Sequence, residues 1–408
     1  MCNTSSNKEV FTTLLKLYLL KSQKMKDISI YFQSIIIEDK LEKEMLGGFI
    51  QSNTKGEFPN LDKKGIAVFY VPEYRNDIEN NRNDYTNDFR SQLYKLYRGF
   101  NWNHTLYDLG TIIPGEKIED TFHAISTVCQ ELIKKEIIPI IVGGSQDLTK
   151  AIYNAYESLE QLVNISTIDN QLDLGNVDGK ITNKGWLSHV VLHKPCYLFN
   201  YTNIGAQAHY IPNNTLDLFN DLYFDICRLG EINQSIQISE PYMRNTDILS
   251  MDLTSIRASD LQNNNYTSPN GLFANEACQI LRYAGISDKL SSLGIFNYYS
   301  KNHKATDEMV AQLIWYFNEG YANRKGDFPV GTKKSYTKFR VFLEELNEEI
   351  VFYKSNKSGR WWIEVPYPGS KKSKFMRHQM IPCSYDTYQE AMKGEVPDLW
   401  WKTYQKLV

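Results

Sequence analysis

Between residues 61 and 325 the chain alternates short, wholly apolar runs with longer stretches in which apolar positions recur every three or four residues. The first run, Gly65-Ile66-Ala67-Val68-Phe69-Tyr70-Val71, is β-branched and aromatic and stops at Pro72, which predicts a buried strand. A helix around 89–96 and a strand over 104–110 ending in glycine follow. Phe122, Ile125, Val128, Cys129, Leu132 and Ile133 then mark one face of an amphipathic helix that leads directly into an apolar strand at 137–142. The alternation predicts a helix over 148–159, strands at 162–168 and 196–201, a helix at 216–222, and strands near Ile226 and Ile248. A helix at 274–283, a strand at 293–298 and a helix at 306–317 complete it. The stretch from His189 to His193 reads as strand.

Apolar strands separated by helices predict an α/β fold with a mainly parallel sheet covered on both faces, because each parallel crossover needs a helix. In such sheets the polar residues at the carboxyl ends of strands form the site. Three segments fall there: Gly143-Gly144-Ser145-Gln146-Asp147, Asp169-Asn170-Gln171-Leu172-Asp173 and Ser250-Met251-Asp252-Leu253-Thr254. From about Gly326 the pattern changes. Residues 338–346, 349–353 and 360–365 predict a β meander with a turn at 355–359, Ser384 is placed to cap a helix through Ala391, and Asp398 to cap a last one. The division is therefore an N-terminal extension and helical lead-in over 1–60, an α/β domain over 61–325, and an aromatic-rich β plus α extension over 326–408.

The net charge of -3 gives no long-range attraction to nucleic acid or anionic membrane, so no nucleic-acid partner is expected. The basic groups at Lys371-Lys372-Ser373-Lys374 and around Lys333, Lys334, Lys338 and Arg340 read as loop charge. The six cysteines are dispersed, without a C-x-x-C pair and mostly in apolar runs, which suits a reducing cytoplasm. The apolar stretch at 14–20 is too short to span a bilayer and is not followed by a small-residue cleavage site, so it reads as an amphipathic or disordered tail. Trp361, Trp362, Trp400 and Trp401, with Tyr336, Tyr353, Tyr367 and Tyr404, suit either packing of the extension onto its own domain or contact with a protein partner or a second copy.

Five segments, in order, resemble the landmarks of the arginase, agmatinase and formimidoylglutamase (ureohydrolase) superfamily. Leu106 to Gly110 resembles its D-L-G strand end, Ile138 to Thr149 its P-I-x-x-G-G-D-H-S-L-T, and Ile168 to Leu174 its I-D-A-H-x-D-L. Ser250 to Thr254 resembles S-x-D-x-D, and Gly271 to Glu276 resembles G-G-L-T-Y-R-E. The resemblance spans roughly 60–320 and implies a three-layer α/β/α arginase-like fold with eight strands, nearer the formimidoylglutamase branch. It also implies two manganese ions bridging a hydroxide that attacks a guanidinium or formimino carbon. Its six ligand positions here are Gln146, Asp169, Gln171, Asp173, Asp252 and Thr254: both histidines and one aspartate are replaced.

Asp169, Gln171 and Asp173 are spaced by two at a strand end, so their side chains share one side. The substituted set does not suit two ions. A glutamine oxygen is a weaker donor than imidazole toward manganese, and threonine at 254 removes a charge that would offset a second ion. A bridging hydroxide needs two ions about 3.5–4 Å apart. One reading is a metal-free site in which the amides of Gln146 and Gln171 donate between the acids. The other is a single Mg2+, Ca2+ or Mn2+ held by oxygens. The corresponding functions are a non-catalytic binding or scaffold protein, or a metal-dependent C–N hydrolase acting on a linear amidine such as formiminoglutamate, agmatine or arginine.

By the same resemblance His189 stands where some family members carry a proton shuttle, and Glu276 where a carboxylate holds the substrate's cationic group. The structural alternatives are a loop histidine without a role and a first-turn acid favoured by the helix dipole. Asp147 likewise reads as a first-turn helix acid.

Overall fold

The computed structural model describes residues 27–36, 42–54, 57–78, 88–175, 179–261, 268–300, 303–329, 333–344, 347–367 and 375–407. The apolar stretch at 14–20 and the basic run at 371–374 lie outside them.

Strands and helices alternate as the pattern demands. In chain order they are β1 (Phe32–Gln33), β2 (Gln51–Ser52), β3 (Gly65–Tyr70), α1 (Phe89–Lys95), β4 (Thr105–Ile112), α2 (Ile118–Lys134), β5 (Ile137–Val142), α3 (Leu148–Ser158) and β6 (Val163–Ile168). Next come α4 (Trp186–Val191), β7 (Leu198–Ala206), α5 (Asn213–Asp221), β8 (Asp225–Arg228), α6 (Leu229–Gln234), α7 (Ser239–Asn245), β9 (Ile248–Asp252), α8 (Ala274–Ile286), β10 (Ser292–Phe296) and α9 (Lys304–Ala322).

The sheet order is β1-β4-β3-β5-β10-β9-β6-β7-β8, with β2 also on β4. Nine of its ten strands run parallel, the eight on the path from β4 to β8 and the two-residue β2, and the two-residue β1 joins the edge antiparallel. Alternate residues feed the two faces: Ile66, Val68, Ile138, Ile140, Leu293 and Ile295 enter one core, while Ala67, Phe69, Ile137, Ile141 and Ile165 enter the other. The α8–α9 pair covers the first face and α2–α3 the second.

A separate antiparallel sheet follows, β11 (Tyr336–Leu343), β12 (Glu348–Ser355), β13 (Trp361–Glu364) and β14 (Met380–Cys383), with helices α10 (Tyr385–Met392) and α11 (Asp398–Leu407). The Ser384 hydroxyl accepts from Thr387 N–H at 3.1 Å and caps α10. The pattern over 338–365 predicts three of these strands and misses β14, because Pro382 demotes a four-residue apolar run; proline is tolerated there on an edge strand. Most of the extension's aromatics turn inward. Trp361 stacks on Tyr388, Trp400 stacks on Tyr404, and Trp362 lies under the Arg244 guanidinium at 4.6 Å, whereas Trp401 is 43% exposed.

Buried charge ties the two sheets together. Arg244 of α7 donates to the carbonyls of Trp361 and Cys383, both at 3.0 Å, and pairs with Glu240 at 2.8 Å. Asp247, fully buried, accepts from Asn164 N–H at 2.9 Å and meets Arg377 at 2.9 Å and Lys289 at 3.6 Å.

The stretch around His189 is a helix, not a strand. Val190-Val191 has strand propensity, but Trp186, Leu187 and Val190 are buried together, a spacing that one face of a helix satisfies. No helix among the described residues is long and apolar enough to cross a membrane.

Candidate functional site

Four adjacent strands, β5, β10, β9 and β6, deliver the polar segments to one end of the sheet. After β5 the chain turns through Gly143 and Gly144 at φ of 96° and 66°, a left-handed conformation that costs glycine nothing. A Cβ on Gly143 would also stand 2.2 Å from the Tyr70 ring. Asn297, just past β10, takes φ 56° and donates its N–H to the Gly144 carbonyl at 2.8 Å, locking the two loops together. Asp169 and Asp173 follow β6, and Asp252 ends β9.

These acids line one small cavity with Gln171, Asn183, Lys184, Thr254 and Asn297. Its free volume is about 20 Å³, room for one water-sized species. Each carboxylate has fixed donors. Asp169 accepts from the Gln171 N–H at 2.9 Å, Asp173 from the Trp186 indole at 2.9 Å, and Asp252 from the Thr254 N–H at 2.7 Å and the Asn297 amide at 2.8 Å. Behind Asn297, Tyr299 lies 3.1 Å from its amide oxygen and donates to Asp77, which also accepts from Asn183 at 3.0 Å.

All three acids titrate above the usual carboxylate range, chiefly because burial penalises the charged form. Asp169 rises furthest, raised next by repulsion from Asp173 and Asp252. Asp173 is pushed up to about 7, opposed by the Trp186 indole, by a hydrogen bond from Asp169 and by the Lys184 ammonium. Asp252 is pushed up to about 6, opposed by Thr254, Asn297 and Lys184. Burial and mutual repulsion thus keep protons on this cluster that isolated carboxyls would release.

Lys184, Asn183 and Asn297 belong to the cavity and are not among the positions singled out by sequence. Lys184 and Asn183 sit on a loop outside the motif segments, and Asn297 follows an apolar strand without an acid or histidine to mark it.

Of the sequence-predicted positions, Asp169, Gln171, Asp173, Asp252 and Thr254 come together in the cavity. Gln146 lies beneath, 1% exposed, and its amide opposes the rise at Asp169 although its Nε2 lacks a hydrogen-bond partner. The hydrogen bonds at fixed geometry to the acids thus come from backbone, indole and asparagine groups rather than from the two glutamine side-chain amides. Asp147 precedes α3 and accepts from Ser145 and, at 2.8 Å, from Asn76 instead of capping the helix. His189 opens into a neighbouring cavity of about 510 Å³ with Arg75, Lys117 and Glu119, and does not line the acid cavity. Burial lowers its pKa, with Lys150 adding to the fall. Glu276 accepts from the Phe273 N–H at 2.9 Å and so caps the start of α8.

The donor set does not fit a pair of divalent ions. Among the described residues no three His, Cys, Asp or Glu side chains are arranged to hold a metal, and a lysine shares the cavity with the acids.

No family profile and no curated protein sequence matches the chain. Solved structures do. Formimidoylglutamase from Bacillus subtilis superposes with a TM-score of 0.61 at 16% identity, over 72% of this chain and 97% of that one. The manganese-bound formiminoglutamase of Trypanosoma cruzi gives 0.57 at 16% identity over 66% and 100%, and the arginase of Medicago truncatula 0.53 at 13% over 63% and 87%. The chain has the α/β fold of the arginases and formimidoylglutamases.

Proposed function

We propose that this chain is a ureohydrolase-superfamily protein, nearer the formimidoylglutamase branch than arginase, whose binuclear site has become a metal-free polar core, leaving a non-catalytic binding or scaffold protein. The observation that carries this reading is Lys184, whose ammonium lines the same small cavity as Asp169, Asp173 and Asp252 and favours the charged forms of the latter two. A lysine and the retained protons supply the positive charge that two cations would otherwise bring. Trp186, Asn297 and Thr254 satisfy the remaining lone pairs, so the carboxylates keep the strand ends in place.

Incubation with arginine, agmatine, formiminoglutamate or guanidinobutyrate, with and without Mn2+, is expected to release no urea, formamide or ammonia, and purified protein to bind no stoichiometric Mn2+ by calorimetry. Two bound manganese ions per chain with amidine hydrolysis overturn the proposal in favour of a C–N hydrolase. The sharper probe is repair. Gln146→His, Gln171→His and Thr254→Asp together are expected to gain little Mn2+ affinity while Lys184 remains, and to gain it when Lys184→Met is added.

A further inference from the structure

A second cavity, of about 290 Å³, lies far along the sheet where its β8 edge and helix α7 meet β14, α10 and α11 of the C-terminal sheet. It is at the small end of ligand-pocket sizes. Ile238, Pro241, Tyr242, Ile381, Pro382 and Leu399 give it apolar walls. Asn200, Asp225, Lys402 and Lys406 gather at a polar end.

The charges at that end are unevenly paired. Asp225 accepts from the Asn200 amide at 2.9 Å and takes Lys402 at 3.8 Å, and Lys402 also holds Asp398 at 2.7 Å. Lys406 donates to the Asn200 amide oxygen, a neutral acceptor, and its ammonium stands 5.7 Å from the Phe224 ring. Its nearby charges are one acid already paired and a like-charged lysine one helical turn away. Burial pushes Lys406 down to about 8, opposed by Asp225 and reinforced by Lys402. An ammonium drawn partly out of water is stabilised by a carboxylate more than by an amide oxygen. Asp386, the other acid of the lining, is exposed.

We propose that the cavity between the two sheets binds a small organic carboxylate, its acid group on Lys406 and its apolar body against Tyr242, Ile381 and Leu399. This site is independent of the metal question at the acid cavity, so Mn2+ binding or amidine hydrolysis leaves it standing.

The test is calorimetric titration of the full-length chain with phenylacetate and hexanoate, against phenylacetamide and hexylamine as neutral and cationic counterparts. Saturable binding of at least one carboxylate is expected, with its counterpart at least about tenfold weaker, as loss of a charge-assisted hydrogen bond implies. K406M is expected to weaken the carboxylate about ten- to hundredfold, with thermal unfolding verifying that the variant is folded. T403F keeps Lys406 and fills the cavity from α11, and is expected to abolish binding. Equal affinity for the amide, unchanged binding in folded K406M or in T403F, or no saturation by either carboxylate up to roughly 10 mM overturns the proposal.

Discussion

The acid cavity and the seam around Asp247 both bury carboxylates, and they do so in opposite ways. At the seam a single acid receives two cations, Lys289 and Arg377, and a backbone N–H. In the cavity three acids share Lys184 and a set of neutral donors, and all three are pushed toward the protonated form. The first arrangement is that of a structural joint. The second leaves the acids short of positive charge, so burial and mutual repulsion favour their protonated forms.

Mutation separates the two most strongly at Asp247. Asp247→Ala leaves Lys289 buried without its acid and is expected to lower the unfolding free energy in urea by about 3–5 kcal/mol. Asp169→Asn puts a neutral amide where burial and two neighbouring acids already push the carboxyl toward its neutral form, and is expected to be neutral or stabilising at pH 8. Equal losses in the two variants would erase the contrast.

The next largest effect is in pH. A carboxyl whose folded pKa is raised binds its proton more tightly in the folded state, so its contribution falls as pH rises from the unfolded value and is constant above the folded one. For Asp173 that window runs from 3.8 to about 7. The stability of the wild type relative to Asp173→Asn is therefore expected to fall by on the order of 1–3 kcal/mol across it, read from paired urea titrations. A flat difference would show that Asp173 is not held protonated.

Trp186→Phe removes one donor to Asp173 and is expected to cost about 1–2 kcal/mol while raising that carboxyl's pKa, followed by carbon-13 NMR. The smallest effect belongs to the partly exposed Lys184. Lys184→Met is expected to lose at most ~1 kcal/mol at pH 8 and nothing at pH 5, where Asp173 is already protonated.

How much of this was legible in the sequence follows from which patterns are local. Eight of the nine parallel strands, all but the two-residue β2, were readable because strands buried on both faces are uninterrupted apolar runs, and Asp169, Asp173 and Asp252 because acids at the ends of such runs stand out. β14 and the helix at Trp186 were not, since Pro382 and Val190-Val191 point locally to other structures and tertiary burial overrides them. Lys184 and Asn297 were hidden for a related reason. A lysine in a polar loop and an asparagine after a strand look like surface until the fold brings both against the acids.

The clamp made by Arg244 has a practical consequence. Because its guanidinium spans carbonyls from two strands of the C-terminal sheet while its backbone belongs to the helix before β9, deleting residues 326–408 would leave it with Glu240 alone beside a freshly bared apolar scar. Shortened versions of the protein should therefore precipitate rather than report on partners, and the tail is best regarded as a keystone, to be altered one side chain at a time.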